Sequence, residues 1–526
     1  MENKKKPRRK QGFSQESPSK KQSEESPRQN ESQKLISLCS KNDFFRDQLD
    51  EPYCRIFENG EPRTFKVNSK EFKLSLSRMF YHSEGKPPSP DAIKQAIHHF
   101  EAIAMFEGKV KRLERRIAQN QGYYFYDLCD PKIGIVMISA KNYKITTRDP
   151  CIFYRTKNMS PQLEPNFSDT PNLLKLLSKH FRTQRKSDLL LLAIYIISCL
   201  VPDIPHPLLV FIGEKGAAKS TTMRMVRMIV DPSKVDLLSM PNSNEGLALM
   251  LHNNYMPAFD NLDYLSSERS DLLCMAATGG SISKRKLYTD DDEIVLNLKR
   301  CVMLNGINSV VTRSDLLDRS IVINLKRIPP EDRKDENTIW ASFLADLPDI
   351  LGACFIALSK AMSIHPKVQL PKLPRMADFA KWGYAIGEAL GGHGDNFLKY
   401  YELNQKRASA EILSNNPVAS SIIKFMEDQD EWKGKATNLL FVLDRVCDDM
   451  GIRKVGKNWP ESPNSLTRRM NNLRSNLEQA GIFFESRKIG DRIITITNVN
   501  AKPSKIKPRK KRSGNHTYTV SDSMLE

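Results

Sequence analysis

Several features are missing from this chain, and each absence narrows what it can be. Its longest apolar run, Leu189–Leu200, is twelve residues, and a membrane span needs about 20, so the run reads as a buried helix and no membrane partner is expected. The N-terminus is polar and basic; without an apolar core segment it does not read as a secretory signal. The nine cysteines (39, 54, 129, 151, 199, 274, 301, 354 and 447) are scattered, with no pair in CxxC or similar metal-binding spacing. They read as reduced thiols of a cytoplasmic protein, with neither a disulfide framework nor a zinc site. No internal repeat is visible.

Positive charge, by contrast, is abundant. The formal net charge is +19. Residues 1–35 and 501–526 each carry a net +5, so more than half of the excess lies in two short tails. Both are polar, rich in Lys, Ser and Pro, and without apolar periodicity, so disorder is expected. Such arms either bind polyanions by releasing counterions or only keep the chain in solution. The cluster 508–512 (PRKKR) has the composition of a nuclear signal as well.

Between the tails the chain divides by pattern. Residues 36–165 mix strand-like pieces (Tyr53–Phe57, Gly122–Leu128, Gly134–Ser139, Tyr143–Thr147) with a helix from Ser89 to about Phe106, started by Ser89-Pro90. They read as an accessory α+β domain. Prolines 161, 165 and 171 mark a linker, and a core follows over 166–330. A helical region spans 331–416. Residues 417–500 read as three helices and two strands, Ile482–Ser486 and Arg492–Thr497, the order of a winged helix.

The core holds the most specific signal. Pro207–Ile212 is a short β-rich run suited to a buried parallel strand. Gly213-Glu214-Lys215-Gly216-Ala217-Ala218-Lys219-Ser220-Thr221 follows, and a helix begins by Met223. Strand, Gly-rich loop, Lys-Ser and helix form the context of a phosphate-binding loop. Backbone N–H groups at a helix N-terminus surround phosphate oxygens, Lys219 reaches the terminal phosphates of ATP, and the Ser220 hydroxyl ligates Mg²⁺. The usual pattern has glycine where this chain has Ala218, and a methyl is tolerated there if the backbone is right-handed.

Downstream, Asp260 ends an apolar strand, the position at which such enzymes hold magnesium and its water. The next residue is Asn261 instead of the usual Glu, which leaves the general base unassigned. Asp263 either substitutes for it or caps the helix through Ser266–Ala277. Asn305 ends a further strand and is expected to orient the terminal phosphate and water. Arg319, with Arg313 as competitor, is either a finger for a neighbouring subunit's nucleotide or a partner of Asp315 or Asp318. Between these motifs, Lys284, Arg285 and Lys286 lie on the leading side of a hairpin with an acidic turn. They either touch the phosphates of a threaded strand or form a solvated, self-compensating surface.

The segments GEKGAAKSTT, AFDNLD, GGSISKRKLYTDDDE, LNGIN and TRSDLLDRS, in that order, resemble a phage- and mobile-element-associated ATPase family related to superfamily 3 primase-helicases. The resemblance extends to Glu51-Pro52-Tyr53, to the stretches at 69–72 and 102–108, and to 457–473, covering about 40–500. It implies an α/β fold: an AAA+ P-loop ATPase core on a parallel sheet, with the α+β accessory domain and a C-terminal winged helix. It also makes Ala218 and the Asp260-Asn261 pair family traits. It implies a ring, hexameric, that hydrolyses ATP with Mg²⁺ and unwinds DNA in replication of a phage or mobile element. Residues 36–160 lack a clear carboxylate triplet, so no primer synthesis is expected. The alternative is a DNA-binding nucleotide switch or regulator without unwinding.

The C-terminal segment carries its own pattern. Leu466, Met470, Leu473 and Leu477 form a helical stripe over 465–480, with Arg468, Arg469, Asn472 and Arg474 off the stripe. A basic outward face before a two-stranded wing suits duplex DNA; a protein-docking helix with a solvated face is the alternative.

Overall fold

The computed structural model describes residues 30–501 except 59–60, 131, 148–149, 168–171, 286–292, 307–309, 453, 455–458 and 490. Both expected tails therefore lie outside the described residues, apart from 30–35 and 501. The chain divides into two compact units, Met1–Arg112 and Leu113–Glu526.

The first unit begins with α1 (Glu31–Cys39), then an antiparallel sheet of β1 (Asp43–Arg46), β2 (Pro52–Glu58) and β3 (Glu61–Lys66) in that order. Helices α2 (Lys70–Glu84) and α3 (Pro90–Ala102) follow. Ser89 caps α3, with proline in its first turn as the sequence suggests. Phe44, Phe72 and Phe100 pack together in its core, Phe44 stacked on Phe100 at 4.7 Å.

The second unit starts earlier than the pattern suggested: the division falls at 112/113, whereas the accessory domain was expected to run to 165. Strands β4 (Leu113–Glu114), β5 (Ile117–Asn120), β6 (Tyr123–Asp130), β7 (Gly134–Ile138), β8 (Tyr143–Thr146) and β9 (Ile152–Phe153) belong to it. β5–β8 form an antiparallel meander. Arg116, fully buried, ties the meander to the core: it donates to Asp231 Oδ1 at 3.1 Å and to the carbonyls of Asp127, Ser160 and Pro232. Tyr126 Oη donates to the Val230 carbonyl at 3.0 Å.

Helices α4 (Leu173–His180) and α5 (Lys186–Ser198) lead to β10 (Leu208–Ile212) and α6 (Lys219–Val230). Then come α7 (Asn244–Asn253), β11 (Ala258–Phe259), α8 (Ser267–Thr278), the hairpin β12 (Ser281–Arg285) and β13 (Glu293–Asn297), β14 (Met303–Gly306), α9 (Ser314–Leu317) and β15 (Ser320–Asn324). The order β11-β14-β10-β15 is parallel throughout. All five residues of β10 are buried, as an unbroken Leu-Leu-Val-Phe-Ile run predicts for a sheet covered on both faces. Alternation sorts them: Leu209 and Phe211 join one apolar cluster with α5 and α6, while Leu208, Val210 and Ile212 join another with α7 and α8.

Helices α10 (Glu336–Ile364), α11 (Ala377–Ala389) and α12 (Gly394–Asn415) pack on the first of these clusters and, through the end of α12, the second. By length and composition α10 could cross a membrane, yet 61% of its apolar window is buried, as in a core helix. The chain then forms α13 (Pro417–Phe425), β16 (Glu431–Lys435), α14 (Ala436–Asp449), α15 (Pro463–Asn472), α16 (Arg474–Gln479), β17 (Ile482–Ile489) and β18 (Asp491–Asn498). Two features differ from the expectation for this segment. β16 is an additional strand, paired with β18. The helix expected over 465–480 is two, broken at Leu473 (φ −100°, ψ 1°) after Asn471-Asn472, residues that favour breaks over helix interiors.

Candidate functional site

The parallel strands all end at the same edge of the sheet, where open α/β sheets bind ligands. The loop Gly213–Ala218 leaves β10 there, Asp260 follows β11, and Asn305 lies near the end of β14, between them. The register sets Asn305 beside Phe211, two residues before the loop.

The loop is tight for identifiable reasons. Gly216 has φ +83°, a conformation glycine adopts without steric cost. A Cβ on Gly213 would come within 3.0 Å of Ala217 Cβ and 3.1 Å of the Leu325 carbonyl. Ala218 is left-handed (φ 55°, ψ 34°) at the N-cap of α6. This corrects the expectation of a right-handed backbone at that position: the methyl is accommodated at a cost of about 1–2 kcal/mol.

The side chains at this edge form one connected network. Lys219 Nζ donates to the Gly213 and Glu214 carbonyls at 2.7 and 3.1 Å, folding back over the loop. Burial holds its ammonium below the ordinary pKa, and Asp260 partly offsets this. Ser220 Oγ donates to the two Asp260 oxygens at 2.9 and 3.1 Å. Asn305, 1% exposed, donates from Nδ2 to Asp260 Oδ1 and accepts at Oδ1 from the Asn261 N–H at 2.7 Å. Asn261 has φ 55°, a conformation Asn tolerates several-fold better than most residues. That preference gives a physical reason for Asn where Glu is the usual residue.

Asp263 is not a helix cap. Ser266 caps α8, accepting from the Arg269 N–H, and Asp263 is exposed on the preceding turn.

Cations that the sequence reading did not single out stand by the loop. The Arg333 guanidinium is 3.7 Å from where a Gly216 Cβ would be, and Arg327 pairs with Glu214 at 3.6 Å. Their only sequence signal is the basic composition of 326–334, directly after β15.

Arg319 lies elsewhere. It precedes β15, whose Ser320 pairs with Leu208 at the start of β10, so Arg319 sits at the opposite edge of the sheet from the loop. It donates to the Asp315 carboxylate and, at 2.7 Å, to the Asp315 carbonyl, and its Nε is buried without an acceptor. Arg313 pairs with Asp271 at 2.7 Å.

Of the residues expected to meet nucleic acid, Lys284 and Arg285 lie in β12, paired with Ile294 and Glu293, while Lys286 lies outside the described residues. Across α15, the break at Leu473 and α16, the stripe Leu466, Met470, Leu473 and Leu477 is buried as expected, with Arg468 exposed and Arg469 half-buried. Arg474 is part exposed but engaged with the wing: it donates to the Phe484 carbonyl at 2.9 Å and lies 4.1 Å over the Phe484 ring.

Comparisons with known proteins bear on the same span. Residues 172–398 match the family of the actinomycete integrative conjugative element replication protein, and 418–512 match the C-terminal domain of that RepA protein. No curated protein matches the chain. Among solved structures, an apo form of the NrS-1 C-terminal region is 12% identical, with a TM-score of 0.38, covering 88% of this chain and 97% of that one. A second apo structure of that region is 11% identical, with a TM-score of 0.39, covering 89% and 99%. A likeness so distant transfers no function. The two family matches are a different matter, and on them the chain carries the domains of a mobile-element replication protein of the integrative conjugative element type.

Proposed function

We propose that the chain is an ATP- and Mg²⁺-dependent DNA helicase or translocase of the AAA+ P-loop type, acting in replication of its mobile element. The observation that carries this reading is the network at the sheet edge, in which Lys219 and Ser220 of one loop converge with Asp260 and Asn305 of two neighbouring strands.

These residues fit the group they would hold. Octahedral Mg²⁺ with bonds of about 2.0–2.1 Å places neighbouring oxygens about 2.9 Å apart. Ser220 Oγ and Asp260 Oδ1 are 2.9 Å apart. Bound Mg·ATP would supply the phosphoanhydride whose hydrolysis drives movement. The backbone N–H groups of the loop 213–221, at the N-terminus of α6, would hold its phosphates. Lys219 exchanges its carbonyl contacts for phosphate oxygens. Asn305 fixes the Asp260 carboxylate. Arg327 and Arg333 add positive charge beside the loop. Arg319 acts on the nucleotide of a neighbouring copy in a hexameric ring.

DNA engagement is divided between the β12–β13 hairpin, with Lys284–Lys286 on a single strand, and α15. The order helix, strand, helix, helix, helix, strand, strand over 417–498 supports a winged helix, with Arg468 and Arg469 against duplex phosphates. Asn261 favours a second reading, a DNA-binding nucleotide switch, because an amide cannot accept the proton of the attacking water.

ATP turnover with and without single-stranded DNA, beside Lys219→Ala, tests the proposal. DNA-stimulated turnover lost in the variant, with DNA binding kept, is expected. Wild-type turnover in Lys219→Ala would overturn the loop assignment, and nucleotide binding without turnover in the unmutated chain would establish the switch.

A further inference from the structure

At the opposite edge of the sheet, three side chains distant in sequence converge. Cys199 is the C-cap of α5, His206 stands just ahead of β10, and Cys301 just ahead of β14. Their sulfur and imidazole nitrogen atoms all lie within 4.8 Å of one another. Cys199 and Cys301 are 0% exposed and His206 is 4% exposed. The backbone holds each in place: the His206 N–H donates to the Ala277 carbonyl at 2.9 Å, the Cys301 N–H to the Tyr255 carbonyl at 3.2 Å, and Tyr255 Oη donates to the Cys199 carbonyl at 2.7 Å.

We propose that Cys199, His206 and Cys301 form a structural zinc site at the foot of the parallel sheet. Two further observations point to a ligand. His206 Nδ1 is buried without a hydrogen-bond partner, and so is the hydroxyl of Tyr195, which lies one turn before Cys199 on α5. A buried polar atom left unpaired costs about 1–3 kcal/mol, and a cation held by the two thiols and the imidazole would offset part of that cost.

The donor set suits zinc, which takes thiolate sulfur and imidazole nitrogen in a closed tetrahedron. With bonds of about 2.3 Å to sulfur, tetrahedral geometry sets the sulfurs about 3.8 Å apart, inside the observed spread. Charge balance suits a buried site as well: two thiolates and a neutral imidazole cancel Zn²⁺, so no net charge enters the core. A disulfide between Cys199 and Cys301 would instead leave both orphaned polar atoms unpaired. Binding releases one proton from each thiol to solvent, and no redox step is needed. The ion would clamp α5 to β10 and β14, the two central strands whose far ends carry the Gly213 loop and Asn305.

The test uses the full chain, reduced and loaded with Co²⁺ in place of zinc. Tetrahedral cobalt bands with charge-transfer intensity for two cobalt–thiolate bonds are expected, displaced by about one equivalent of Zn²⁺ per chain. Intensity for one thiolate or none overturns the site, and this reading needs no variant. In Cys301→Ser and His206→Gln, checked for folding by circular dichroism, the bands are expected to be lost or weakened in proportion to the missing donor. Unchanged bands in folded variants would place the metal elsewhere and overturn the proposal. A Cys199–Cys301 disulfide in peptide maps of the chain purified under reducing conditions would do the same.

Discussion

Asn305 is the most informative residue to perturb, because one isosteric change turns its contact with Asp260 into a repulsion. In Asn305→Asp a second carboxylate would stand where the amide now donates to Asp260 Oδ1. Two unit charges about 4 Å apart at an effective dielectric of about 20 repel by about 4 kcal/mol. Like-charge repulsion should push the upper apparent pKa of the carboxylate pair above the ordinary Asp range. Above that range the folded variant holds a proton that the unfolded chain has released, so its stability falls as pH rises. At about pH 4 the protonated side chain can still donate to Asp260, and the variant should lie near the parent. By about pH 7.5 the deficit should approach 4 kcal/mol. Mg²⁺ should recover part of it by neutralising the pair. Denaturant unfolding of parent and variant across this range, in chelator and in Mg²⁺, measures the difference. A deficit that does not vary with pH would refute the contact between Asn305 and Asp260.

Three further changes probe the rest of the site. If Asp263 supplies the base that Asn261 cannot, Asp263→Asn should reduce ATP turnover at least 100-fold while nucleotide binding is kept; parent-like turnover would remove Asp263 from the reaction. Arg468→Ala with Arg469→Ala should weaken duplex binding at every sequence and lower the salt dependence by up to two phosphate contacts, and an unchanged salt slope measured by anisotropy would assign α15 to another partner. Arg319→Ala should lose turnover by roughly 10³-fold, and mixing it with Lys219→Ala should restore part of it, each variant supplying what the other lacks. Mixtures no more active than the separate variants would count against a shared site.

What could be read from the sequence follows a physical division. β10 and α6 were legible because burial on both faces writes an unbroken apolar run and a helix start follows the loop. The Ser89-Pro90 start of α3 was legible because capping is local. β16 was not, because Glu-Trp-Lys-Gly-Lys has weak strand propensity and forms a strand by pairing with β18 and packing Trp432 on Phe425. The division at 112/113 was hidden for a related reason. It depends on Arg116, Tyr126 and Gln162 reaching the end of α6, and Gln162 alone donates to the Met228 and Ile229 carbonyls at 2.9 and 3.1 Å. The Cys199–His206–Cys301 cluster escaped the search for metal-binding spacing because strand order, not spacing, brings it together.

The register of β10 and β15 also decides how Arg319 can act. Parallel pairing sets Leu208 against Ser320 and Ile212 against Asn324, so Arg319 lies before the entry of its strand while the loop lies beyond the exit of the next. Five residues at about 3.3 Å each separate the two levels by about 16 Å, more than the reach of an arginine held by Asp315. No rotamer brings its guanidinium to the loop of its own chain. If Arg319 takes part in turnover, the nucleotide it touches belongs to another copy, and the Asp315 pair must open when that copy docks. The buried, unpaired Nε of Arg319 lowers the cost of that opening. A site completed only between copies would couple turnover to assembly, as a ring that moves along DNA requires.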